Sequence, residues 1–158
     1  MILKTRQPNS RHCFVCGVVN PIGLNLKFYE TGPGQVEARV TLPEQYQGYP
    51  GIIHGGIVAA MLDESAGRAH MGDNDAPRFM FTARLNVNYR KNVPVGKPIR
   101  IVGQAGATKG RTATATSSIY DEEGTLLADA EALLVNVPDH LIAKTDLEAL
   151  GWKVYPEE

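Results

Sequence analysis

Residues 54–70, HGGIVAAMLDESAGRAH, restrict the possible folds more than any other stretch of the chain. Ile57, Val58, Ala59, Ala60, Met61 and Leu62 make a helix apolar on every side, which must be enclosed rather than laid on a surface. The Ala and Met content favours helix over strand. On both sides of this segment the apolar residues alternate with a period of two, the mark of half-buried strands. Leu24, Leu26 and Phe28 share one face, opposite Asn25, Lys27 and Tyr29. A turn at Thr31-Gly32-Pro33-Gly34 leads into Val36, Ala38, Val40 and Leu42, again at period two. Residues 43–53 carry two Pro and two Gly and read as a loop or a short helical turn. Beyond a polar loop at 72–77, Leu85, Val87 and Tyr89 alternate against Thr82, Arg84, Asn86 and Asn88. Ile99 and Ile101 follow a turn at 94–98, and strands at about 111–120 and 125–137 are joined by Asp121-Glu122-Glu123-Gly124.

Two strands, one apolar helix and four further strands with short turns predict an α+β chain in which one antiparallel sheet of six strands curls round a central buried helix, a hotdog. A flat two-layer sandwich would need a helix with a distinct polar stripe. The organisation expected is an irregular leader at 1–23, the hotdog domain at 24–138 and an extension at 139–158. Within the extension, a weak helix is predicted at 145–150, opened by Thr145 or Asp146 and closed by Gly151.

With 16 basic and 17 acidic residues the formal charge is −1, which argues against nucleic acid as the main partner. Residues 1–7 lack the apolar core of a secretory signal, and the longest apolar run is too short to span a bilayer, so a cytoplasmic location is expected. Cys13 and Cys16 are the only cysteines. Zinc wants four ligands and no second Cys or His pair stands at metal spacing, so no metal or cofactor is expected. The pair reads as small apolar residues in a knuckle, with a zinc shared with His12 or a second subunit as the alternative.

Three features near the helix stand together: Gly55 and Gly56 at its start, Asp63 and Glu64 near its end, and Thr82 opening the strand that follows. The helix start has unpaired N–H groups and the positive end of the macrodipole, and Gly55 and Gly56 let a ligand approach that backbone. A thioester carbonyl lodged there would be polarised, and charge developing on its oxygen stabilised. Asp63 follows six apolar residues, where a carboxylate is costly unless paired, with Arg68 or His70 for example, or functional. Gly56, Ala59 or Ala60, Asp63, Gly67 and His70 fall on one stripe of small residues that another backbone could approach closely. Gly56 and Asp63 are separated by a rise of about 10.5 Å, so one helix cannot present both to the same thioester. Two copies packed antiparallel about a two-fold axis would, and the catalytic unit expected on this reading is a homodimer with two equivalent sites.

The motifs HGGIVAAMLDE at 54–64, TARLNVNYRKNVPVG at 82–96, DEEGTLLADAEAL at 121–133 and CFVCGVVNPIGLNL at 13–26 resemble the thioesterase branch of the hotdog superfamily, the group containing phenylacetyl-CoA and 4-hydroxybenzoyl-CoA thioesterases. The resemblance implies dimers that often pair into tetramers, and hydrolysis of an acyl-coenzyme A without metal, coenzyme A being part of the substrate. It implies that Gly56 gives its N–H to the thioester oxygen, that His54 shapes that pocket, and that Asp63 of the other subunit is base or nucleophile. Thr82 would position the attacking water, and Glu64 beside Asp63 is the competing carboxylate. Gly55, Asn88, Arg90, Lys91, Lys109, Gly110 and Arg111 are the candidates for binding substrate, the basic ones meeting the phosphates. The acyl pocket is expected between the loops at 43–53 and 71–81. A hotdog that binds acyl-CoA without turnover, and a hydratase of the same fold, are the alternative functions.

Overall fold

The structure is a computed structural model describing residues 4–157; residues 1–3 and 158, the outer ends of the expected leader and extension, lie outside the described residues. Seven strands form one antiparallel sheet: β1 (Thr5–Arg6), β2 (Phe28–Gly32), β3 (Gln35–Val40), β4 (Met80–Tyr89), β5 (Ile99–Lys109), β6 (Thr112–Tyr120) and β7 (Leu126–Asn136). They are ordered β1-β2-β3-β5-β6-β7-β4. The long helix α1 (Gly55–Ala69) packs across the sheet, against β5, β6, β7, β4 and β3, as the apolar segment requires. This is the hotdog arrangement. No helix among the described residues is long and apolar enough to cross a membrane.

The strand count differs from six because the leader adds Thr5–Arg6, paired with Glu30 and Tyr29 of β2. The alternation at Leu24, Leu26 and Phe28 does bury those residues, but the ladder starts only at Phe28. Asn25 adopts φ 49°, which a short polar side chain tolerates and which breaks an extended run. The extension has its helix, α2 (Asp139–Ile142), earlier than expected. Residues 147–151 form a single turn instead: Asp146 caps the N–H groups of Glu148 and Ala149, and Gly151 closes it with φ 66°. One turn of hydrogen bonds does not repay the ordering of a longer isolated helix.

Helix α1 is enclosed on one side only. Val58, Met61, Leu62, Ala66 and Ala69 are buried against the sheet. The stripe of small residues faces outward, with Gly56 exposed and Ala59, Ala60, Asp63 and Gly67 half-buried. The apolar outer face is thus uncovered in the single subunit.

Helix and sheet meet most tightly at Gly103 of β5, where a Cβ would lie 2.1 Å from the Ser65 carbonyl oxygen and 3.0 Å from Val36 Cγ2. Helix backbone rests directly on strand backbone, which only glycine permits. Gly103→Ala is expected to lower stability by about 1–3 kcal/mol, the range for an overpacked core. The check is a reduced urea midpoint with an unchanged m-value; an unmoved midpoint would mean that α1 does not sit this close.

Leader and extension are zipped together. The Asn9 N–H donates to the Lys153 carbonyl at 2.9 Å, the Lys153 N–H returns a bond to Asn9 at 3.1 Å, and the Arg11 N–H donates to Leu150 at 2.9 Å. Asn9 is fully buried, its side-chain amide donating to the carbonyls of Cys16 and Leu26 at 2.7 and 2.8 Å. Trp152 packs edge-on against Phe79, with ring centroids 5.2 Å apart.

Candidate active site

The zipped termini wall a cavity of about 420 Å³ over the C-terminal half of α1. Asp63, Glu64, Gly67 and Arg68 come from the helix, Met71, Arg78, Phe79, Met80 and Thr82 from the segment that follows it. Ser10, His12, Cys13 and Cys16 come from the leader, and Ala149, Leu150 and Trp152 from the extension. Loop 71–81 contributes to this cavity and loop 43–53 does not, Ile52 and Ile53 lining a different one. The leader and extension build the rest of its wall. They were missed because their pairing joins segments about 140 residues apart and leaves no local periodicity.

The two carboxylates on adjacent helix positions have different partners. Asp63 accepts a hydrogen bond from the Thr82 hydroxyl at 2.5 Å, so these two candidates are brought together. Glu64 accepts from Arg68 Nε at 2.9 Å, an i,i+4 ion pair. Arg68, considered above as a partner for Asp63, instead pairs with Glu64, because a residue five positions on lies off the Asp63 face. Arg68 is buried and also donates to the Pro8 carbonyl at 2.8 Å, between the rings of Phe28 and Trp152. Burial alone would lower its pKa, but Glu64 and Cys16 outweigh that and hold it above the ordinary value. His70 is not beside Asp63 either: its Nε2 lies 2.7 Å from the Thr114 carbonyl oxygen.

Cys13 and Cys16 are free thiols in the same wall. Sharing a hydrogen bond, they split: Cys16 is pushed down to about 6, chiefly by Cys13 and with help from Arg68, against the opposing effect of burial. Cys13 is raised, first by that hydrogen bond and then by burial and Glu64.

The other end of the helix is a separate place. His54 is the N-cap, its Nδ1 accepting from the Gly56 N–H at 2.8 Å. The N–H named above as the donor to a thioester oxygen is thus already engaged by His54 within the chain. The Gly55 carbonyl accepts from the Tyr89 hydroxyl at 2.7 Å. Gly55, Tyr89, Arg90 and Lys91 line a second cavity of about 310 Å³, distinct from the one holding Asp63. Tyr89 was not singled out from the sequence, although its place at the end of the β4 alternation was visible.

The remaining substrate-binding candidates do not gather at one place in a single subunit. Asn88 and Arg90 bond both oxygens of Asp129 at 3.0 and 2.6 Å. Arg90 first, and then Asn88, hold that carboxyl below its ordinary value against slight burial. Lys109, Gly110 and Arg111 form the β5–β6 turn at the opposite end, where Thr112 pairs with Val135 and Asn136 with Met80. Nine residues of strand separate Met80 from Tyr89, about 30 Å, so the two basic groups cannot serve one ligand within one chain.

Comparisons with known proteins agree with this frame. Residues 50–128, half of the chain, match the family described as the Thioesterase superfamily. Acyl-coenzyme A thioesterase THEM4 of Rattus norvegicus is 32% identical over 95 residues, covering 59% of this chain and 40% of that protein. Its Mus musculus counterpart is 30% identical over 92 residues, covering 58% and 38%. The chain thus spans about two fifths of the length of these curated relatives. Among solved structures, a thioesterase superfamily protein matches with TM-score 0.73 at 30% identity, covering 79% of this chain and 60% of that one. Smu.793 from Streptococcus mutans, solved with acetyl CoA bound, matches with TM-score 0.64 at 18% identity, over 72% of this chain and 89% of that one. The E. coli PaaI protein matches with TM-score 0.65 at 13% identity, over 73% and 81%. These last two are likenesses of fold alone. The hotdog topology, the cavity around Asp63 and the match over residues 50–128 lead to one conclusion: the chain belongs to the thioesterase superfamily.

Proposed function

We propose that this protein hydrolyses the thioester of an acyl-coenzyme A and works as a homodimer. The observation that carries the reading is Asp63: a half-buried carboxylate on the open face of α1, oriented by Thr82 and not neutralised by Arg68. The curated relatives named acyl-coenzyme A thioesterase support the substrate class.

Dimerisation is supported by two uncovered features that lie side by side. The small-residue face of α1 is open, and β4 ends the sheet with ten residues whose outer edge has no strand partner among the described residues. Phe81 and Tyr89 on that strand are 52% and 55% exposed. Long edges with exposed aromatics seek a partner. A two-fold copy set edge to edge and helix against helix would bring the Gly55–Gly56 tip of one subunit to Asp63 of the other. The thioester oxygen then displaces His54 Nδ1 from the Gly56 N–H. Asp63 takes a proton from water, the water oxygen bonds to the acyl carbon, the C–S bond breaks, and the proton passes to the leaving sulfur. Arg90 and Lys91, which line one cavity with Gly55, would meet coenzyme A phosphates together with the partner's far turn. Two free thiols in close contact suit a reducing compartment, the cytoplasm.

The test is free-thiol release from short, medium, long and aromatic acyl-CoAs by the full chain. Release well above the uncatalysed rate from at least one of them is expected. Binding without release across the whole panel would replace this reading with a non-catalytic acyl-CoA protein.

A further inference from the structure

We infer that Cys13, Cys16 and Glu64 form a zinc-binding site that clasps the leader to α1. One sulfur from each cysteine and a carboxylate oxygen of Glu64 all lie within 4.8 Å of one another. The third donor comes from the helix and not from a second Cys or His pair, which is why no metal spacing is visible along the chain. Zinc holds sulfur at about 2.3 Å and carboxylate oxygen at about 2.0–2.2 Å, so the edges of its tetrahedron are roughly 3.5–3.8 Å. Small side-chain adjustments bring the three donors to that geometry.

The knuckle is built to aim both sulfurs one way. The Gly17 N–H donates to the Cys13 carbonyl at 2.8 Å. A Cβ on Gly17 would lie 2.3 Å from that oxygen and 2.8 Å from the Arg11 carbonyl oxygen, so only glycine closes the turn so tightly. The Cys13 N–H donates to Ser10 Oγ at 3.4 Å, and the same hydroxyl lies 3.6 Å from Cys16 Sγ.

Charge selects the ion. Two thiolates and a carboxylate carry three negative charges, and a zinc ion offsets two. Arg68 offsets the third: its Nε is on Glu64, and its Nη2 has no hydrogen-bond partner among the described residues. The cluster is then neutral, which lowers the cost of holding these half-buried charges beside buried Cys16 and Arg68. Two soft sulfurs exclude magnesium and calcium and suit zinc. On binding, the thiol protons leave to solvent. Cys13, Cys16 and Glu64 line the same cavity as Asp63.

The test uses the full chain purified and kept reduced, with metal content measured directly and affinity by competition with a chromophoric chelator. One zinc per chain is expected, and cobalt in its place should give thiolate-to-cobalt charge-transfer absorption. Cys13→Ser and Cys16→Ser should each lose stoichiometric binding, and Glu64→Gln should weaken it at least ~10-fold. The proposal is overturned if the wild-type chain, with both thiols reduced, binds no zinc at micromolar free metal. It is equally overturned if cobalt binds without the thiolate band, or if a cysteine variant keeps wild-type zinc content. The wild-type measurements decide the question even if a variant fails to fold, and none of them needs a substrate, so the result is independent of the thioesterase proposal.

Discussion

Asp63→Asn is expected to lower kcat for acyl-CoA hydrolysis by at least ~10²-fold, the scale on which loss of a general base is felt. Asparagine keeps the size of the side chain and still accepts the Thr82 hydroxyl, so geometry and substrate binding should survive while the proton acceptor is lost. The effect should therefore appear in kcat with little change in KM, which is the signature of an interaction made only in the transition state. A hundredfold loss corresponds to about 2.7 kcal/mol of barrier. The variant must be shown to retain wild-type assembly by light scattering. Turnover within a few-fold of wild type would remove Asp63 from the chemistry.

Glu64→Gln is the necessary comparison. Asp63 and Glu64 are neighbours in sequence, but a helix turns each residue about 100° from the last, and here that rotation separates their tasks. Glu64 turns toward buried Arg68, and Asp63 toward Thr82 at the open face. If Glu64→Gln abolished turnover and Asp63→Asn did not, the assignment of the active carboxylate would be reversed.

What could be read from the sequence, and what could not, follows from the range of the interactions. The start of the helix at His54 and the outward stripe Gly56, Ala59, Ala60, Asp63 and Gly67 depend on a period of 3.6, which is local. The hairpins depend on a period of two and on turn residues, equally local. The choice of Arg68 partner was legible in principle, since Glu64 stands four positions before it and Asp63 five. The strand order also determines that the 109–111 turn and Arg90 lie at opposite ends of the sheet. Nothing local predicts that Asn9 will bond Lys153, or that Trp152 will pack on Phe79. The leader and extension are irregular backbone, with backbone groups of one bonded to those of the other, so the cavity wall they build emerges only in three dimensions. The single-sided burial of α1 was hidden for a different reason: its outward face carries the same small apolar residues as the face packed on the sheet, so composition does not tell the two apart.

Arg68→Ala should be the most destabilising of these substitutions, costing about 3–5 kcal/mol, the range for removing one partner of a buried ion pair. Arg68 is 1% exposed, and its guanidinium meets four structures at once. It donates to Glu64 on its own helix and to the Pro8 carbonyl in the leader, and lies 4.8 Å from the centroid of Phe28 on β2 and 5.4 Å from that of Trp152 in the extension. Alanine leaves Glu64 with an unpaired charge, the Pro8 carbonyl without its donor, and a void between two rings. Arg68→Met fills much of the void and should recover the packing part of the loss but not the charge. The double variant Arg68→Met with Glu64→Gln removes the orphaned charge as well and should be more stable than Arg68→Met alone, the non-additivity measuring the pair itself. Urea unfolding checks each step, with a shifted midpoint and constant m-value as the mark of a native-state effect. A loss below about 1 kcal/mol for Arg68→Ala would place this pair in the class of exposed ion pairs, and the leader and extension would then be held to the hotdog by their backbone pairing alone.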